Sequence, residues 1–69
     1  MRFEVQVDRE EDGRFIADVP TLPGVMAYGD TMDDAVAKVQ ALALRVIADM
    51  VEHHEAPFAG ELFSVSRAA

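Results

Sequence analysis

Val19-Pro20-Thr21-Leu22-Pro23-Gly24-Val25-Met26-Ala27-Tyr28-Gly29-Asp30-Thr31-Met32-Asp33-Asp34-Ala35 carries the chain out of one strand, round a turn, along another strand and into a helix. Pro20 lacks an N–H and so ends the ladder of the strand before it. In Leu22-Pro23-Gly24 the proline pre-sets φ at the second turn position and the glycine accepts a positive φ at the third, the chemistry of a type II turn. Val25 to Tyr28 then predicts a short strand antiparallel to its predecessor. Thr31 is a good N-cap, because its hydroxyl can accept the N–H of Asp34. Asp33 and Asp34 fall in the first turn, where the helix dipole favours negative charge.

Upstream, Phe3-Glu4-Val5-Gln6-Val7 is apolar at every second position, which predicts a first strand with one buried face. Charge interrupts the pattern from Asp8 to Asp12, and Asp12-Gly13 offers the positive-φ step of a hairpin loop. Arg14 to Val19 resumes extended character with Phe15, Ala17 and Val19 on one side and Asp18 pointing outward, so the two runs form a β-hairpin.

Downstream, Val36, Val39, Ala43, Val46 and Met50 follow the spacing of a helix face, widened by Ala35, Leu42, Ile47 and Val51. The polar strip of Asp34, Lys38, Arg45, Asp49 and Glu52 covers only about 60° of the helix circumference. A helix from Met32 to about His53 would run roughly 33 Å, against roughly 17 Å for a five-residue strand. The expectation is that Leu42 to Val51 overhangs its own sheet and packs on a second subunit, with Ala41, Leu42, Leu44, Ala48 and Val51 as the interface. Pro57 and Gly60 close the helical region, Glu61 to Val65 reads as a fourth, edge strand with Phe63 and Val65 inward, and Ser66 to Ala69 as a short tail. The expected fold is α+β: one β-β-β-α-β domain over 1–69, an antiparallel three-stranded meander with one long helix and a fourth strand.

The chain has 69 residues, 13 acidic and 6 basic, a net charge of −7 and no cysteine. A domain this short buries about 60% of the surface of its unfolded chain, and its core supplies roughly 3–5 kcal/mol unaided. Neither disulfides nor thiolate metal sites can add to that, so a homodimer or higher homo-oligomer is expected. Nucleic-acid affinity comes largely from Lys and Arg displacing counterions, so the acidic balance disfavours direct nucleic-acid binding and favours a basic protein partner. No basic n-region precedes an apolar h-region, and Lys38, Arg45 and Asp49 interrupt the longest apolar stretches, so a cytoplasmic protein without a membrane span is expected.

Chemistry-bearing patterns are weak. Asp8, Glu10 and Asp12 lie in a turn where a solvated or partner-facing loop is the ordinary reading, and Asp18 and Asp30 complete no metal-ligand pattern with them. His53 and His54 are adjacent and point about 100° apart on a helix, so they suit a helix terminus better than a shared metal. Thr21, Thr31, Ser64 and Ser66 lack the context of a nucleophile, and no glycine-rich phosphate loop occurs. No catalytic residue, metal ligand or cofactor is expected, and the chain does not read as an enzyme. Tyr28 and Leu22 are candidates for contacts beside the proline-rich turn.

The acidic Glu-Asp-Gly turn, the run Val19-Pro20-Thr21-Leu22-Pro23-Gly24, then Gly29-Asp30-Thr31 and a helix with Asp34-Ala35 early in it together resemble the HicB antitoxin family over nearly the whole chain. The resemblance implies a partial RNase H-like fold without nuclease activity. It implies a partner, a small basic mRNA-cleaving toxin of HicA type, that the chain would neutralise by binding. It carries structural roles onto Pro20, Pro23, Gly24, Gly29, Asp30 and Thr31. The helix-turn-helix or ribbon-helix-helix module of many members does not follow the fourth strand here, so repression of its own operon is not expected of this chain. Partner contact is expected at Asp8, Glu10, Glu11 and Asp12 and at Leu22 and Pro23. The alternatives are a HicB-like oligomeric scaffold or ligand-binding domain without a toxin, and a metal-dependent nuclease of RNase H type. The last would need three or more carboxylates converging on one sheet edge.

Overall fold

The structure is a computed structural model that describes residues 2–66. Three strands, β1 (Gln6–Arg9), β2 (Phe15–Asp18) and β3 (Met26–Gly29), form an antiparallel sheet in the order β1-β2-β3. A long helix, α1 (Met32–Glu52), and a single turn, α2 (Ala59–Leu62), follow. The architecture is α+β, as the alternation and the helix spacing predict.

Register explains where the strands stop. Gln6 pairs with Asp18 and Arg9 with Phe15. One step beyond Val19 stands Pro20, which has no N–H to give, so the ladder ends and Phe3 to Val5 continue unpaired, contrary to the expected strand start at Phe3. Their alternation still holds, and Phe3, Val5 and Val7 turn toward the core.

The connections match their local chemistry. In the first hairpin the Glu10 amide donates to the Arg14 carbonyl at 2.7 Å and the Gly13 amide to the Glu10 carbonyl at 3.0 Å, with Gly13 at φ +91°. This is a type I turn closed by a left-handed glycine. In the second, the Val25 amide donates to the Leu22 carbonyl at 3.1 Å across Pro23 and Gly24, and Gly24 has φ +82°, the type II geometry expected there. Thr31 caps α1, its hydroxyl accepting the Asp34 amide at 3.0 Å.

Packing is one helix on one sheet. Ala17, Val19, Leu22, Val25, Ala35, Val39 and Ala43 are buried, joined at their margin by Phe3, Val5, Val7, Phe15 and the inward side of α1. The helix lies over β3 and β2 and scarcely reaches β1. Its end is sharp: the Glu55 amide donates to the Met50 carbonyl, the His54 amide to the Val51 carbonyl, and His54 adopts φ +59°. That pair of bonds around a left-handed residue is a Schellman motif, with histidine where glycine is usual.

The expected fourth strand does not form. Ala59 to Leu62 make a helical turn instead, and Phe63 is extended, with φ −132° and ψ 139°, but no strand lies beside it. Just before this turn the Phe58 ring meets Phe3 edge-on, 5.2 Å between centroids, which holds this part of the chain against the residues ahead of β1. Phe63 and Val65, expected inward, are 64% and 96% exposed. Beyond Ser66 the expected tail lies outside the described residues.

Candidate protein-binding surface

The hairpin loop presents its acids in two different ways. Asp12 is tied down, one carboxylate oxygen accepting the Arg14 amide at 3.0 Å and the other the Arg14 Nε at 2.8 Å. These hydrogen bonds favour the charged form and hold its carboxyl below the usual carboxylate range. Asp12 is therefore a clamp on the loop. Asp8, Glu10 and Glu11 form no ion pair among the described residues, and Asp8 and Glu11 are exposed.

The loop continues onto the outer face of the sheet. Arg14 stands over the Tyr28 ring, its guanidinium carbon 4.6 Å from the centroid, because Ile16 pairs with Tyr28 and Arg14 lies diagonally across from it. Glu10, Glu11, Asp12, Arg14 and Tyr28 line one shallow depression. Ile16, half-buried, and Met26, exposed, extend this face along β2 and β3. The surface thus offers free carboxylates beside an aromatic ring already stacked with a guanidinium. That composition suits a basic protein surface whose charges meet the acids and whose apolar atoms meet the ring.

The residues expected to contact a partner do not converge on one place. The acidic loop and the Leu22-Pro23 turn stand at opposite ends of β2, on the order of 20 Å apart at about 3.3 Å per residue. Leu22 is only 4% exposed, so it anchors the turn in the core and presents almost nothing to a partner. Pro23 is exposed at that far end. Tyr28, expected beside the proline-rich turn, sits beside the acidic loop because β3 runs back along β2. Arg14 was not singled out; its position two residues after Asp12, across a glycine turn, is the signal that could have found it.

Pro20, Pro23 and Gly24 shape the link between β2 and β3, and Gly29 is buried where β3 meets the helix. Asp30 is exposed just before the cap at Thr31. Of the expected interface, Leu44, Ala48 and Val51 line an open groove, Leu42 packs against the chain's own core, and Ala41 is half-buried. His53 Nδ1 lies 2.7 Å from the Asp49 carbonyl at the helix end. Among the described residues no three His, Asp or Glu side chains are placed to hold one metal ion. No helix is long and apolar enough to cross a membrane, again among the described residues.

Two curated proteins are similar to this chain. The UPF0150 protein Ta0767 of Thermoplasma acidophilum is 29% identical over 55 residues, 80% of each chain. A UPF0150 protein of Archaeoglobus fulgidus is 30% identical over 40 residues, 58% of each chain. No protein-family model matches the chain. No solved structure matches it.

Proposed function

We propose that this chain is a HicB-like antitoxin domain that binds and neutralises a small basic mRNA-cleaving toxin of HicA type, without catalysis of its own. The observation that carries the reading is the acidic loop: among the described residues Asp8, Glu10 and Glu11 have no ion-pair partner, next to the Arg14–Tyr28 stack, on a chain whose net charge is −7. A basic ribonuclease must carry Lys and Arg where RNA phosphates bind, and an acidic surface that occupies those groups competes directly with substrate. The similarity to UPF0150 proteins is consistent with the reading, although their shared designation states no activity. The three-stranded meander, the Pro20–Gly24 link and the Thr31-capped helix are consistent with the β-β-β-α part of the element order that the HicB resemblance implies, although its last strand is replaced by the turn α2. On this reading the site of action is the cytoplasm, where mRNA is translated.

The test is titration of this chain into a purified basic ribonuclease of HicA type encoded beside it, with cleavage of a reporter mRNA as the readout. Stoichiometric loss of cleavage, together with co-elution of the two chains, is the expected result. Undiminished cleavage with the chain in excess overturns the proposal.

A further inference from the structure

We infer that a second copy of this chain covers the groove that the second half of α1 forms with Phe3, Leu62 and Phe63, pairing the two helices along Leu44, Ala48 and Val51. The groove runs from Phe3 past Leu44, Ile47, Ala48 and Val51 to Leu62 and Phe63. Leu44 is 68% exposed, and Val51, Leu62, Phe63 and Val65 are all exposed along or near the same groove.

The chain alone is also too extended. Its radius of gyration is 14.9 Å, whereas a compact 69-residue domain has about 11 Å. Its long axis of 57 Å is well beyond the about 31 Å of the 21-residue helix α1.

Charge decides which occupant fits. Two copies each carrying −7 repel wherever their acids face each other, and only an uncharged surface lets them meet. The groove is that surface, with Glu52 its one charged lining residue. A basic partner, by contrast, finds its complement at the acidic hairpin loop. Geometry agrees: positions 44, 48 and 51 alternate four and three residues, the seam along which two helices interlock, and Ala48 at its centre lets the backbones approach. A twofold axis through that seam buries the same patch on both copies. The inference does not rest on the antitoxin reading.

Sedimentation equilibrium of the whole chain, at micromolar and at near-millimolar concentration, tests it. A dimer is expected, and Leu44→Asp is expected to give a monomer whose helical circular dichroism is retained, because Leu44 contributes little to its own core. A monomeric wild type at the higher concentration overturns the inference, as does a Leu44→Asp chain that stays dimeric. Should Leu44→Asp unfold, maleimide labelling decides, made clean by the absence of native cysteine. The Ala48→Cys thiol should label several-fold more slowly as protein concentration rises, while Lys38→Cys, on the polar strip, should label at a constant rate. Rates independent of concentration at both positions overturn it.

Discussion

Gly29 shows how a single residue fixes the angle between sheet and helix. It is buried at the end of β3, and a β-carbon built on it would lie 2.4 Å from the Ala35 amide nitrogen and 2.8 Å from the Ala35 Cα. Those are backbone atoms of the first helical turn, so no side-chain rotation relieves the contact. The Thr31 cap holds that turn in place, its carbonyl accepting the Ala35 amide and its hydroxyl the Asp34 amide. Gly29→Ala should therefore push α1 off β3 and cost about 1–3 kcal/mol, the usual range for an overpacked core site. Urea unfolding of the variant against wild type measures it, and equal midpoints would contradict the tight approach. Gly24 and Gly13 differ: a β-carbon there meets nothing, and their requirement is the left-handed backbone alone.

At the scale of elements, the acidic hairpin is held by one internal pair. Asp12 accepts both the Arg14 amide and the Arg14 Nε, which lowers its pKa. A carboxyl whose folded pKa lies below its unfolded value contributes stability that is present above the unfolded pKa and lost as pH falls through the folded one. Asp12→Asn should accordingly narrow the stability difference between neutral and acid pH. Thermal unfolding of both chains from neutral pH to below the carboxylate range reads this out: the curves should diverge at neutral pH and converge in acid. Parallel curves would mean the clamp contributes nothing in solution.

How much of each element was legible follows the same division between local and distant causes. The two turns and the helix start are set by residues adjacent in sequence, Asp12-Gly13, Pro23-Gly24 and Thr31-Asp34, and each formed as its local chemistry predicts. The last segment is held by Phe58 meeting Phe3, more than fifty residues away, which no local pattern encodes. Alternation at Phe63 and Val65 reports only that those residues suit a half-buried strand, and a strand needs a neighbour, which the described residues do not place there. The candidate surface divides likewise. Its acids were visible as a charge run, whereas the Arg14–Tyr28 stack depends on cross-strand register.

For the whole molecule, the decisive quantity is how the charge of −7 is distributed. Asp34 is paired with Lys38 at 3.1 Å and Asp12 with Arg14 at 2.8 Å, while Asp33 lies in the first turn of α1, where the dipole favours it. Asp8, Glu10 and Glu11 in and beside the first hairpin form no ion pair among the described residues, and neither do Asp18, Asp30, Glu52, Glu55 and Glu61 elsewhere. Exposed charges steer a partner over about one Debye length, roughly 8 Å at physiological ionic strength. Replacing Glu10 and Glu11 together by Lys reverses the charge of residues 8–14 from −2 to +2, yet leaves the Asp12–Arg14 clamp and the core untouched. The association rate with a basic ribonuclease should fall by about tenfold or more at low salt, and its dependence on salt should flatten. The mass in solution should stay that of wild type, since the groove along α1 lies away from the loop. Stopped-flow association across a salt series, beside sedimentation of the same protein, separates the two surfaces. A rate unchanged at every salt concentration would exclude the hairpin as the steering surface, whatever the oligomeric state.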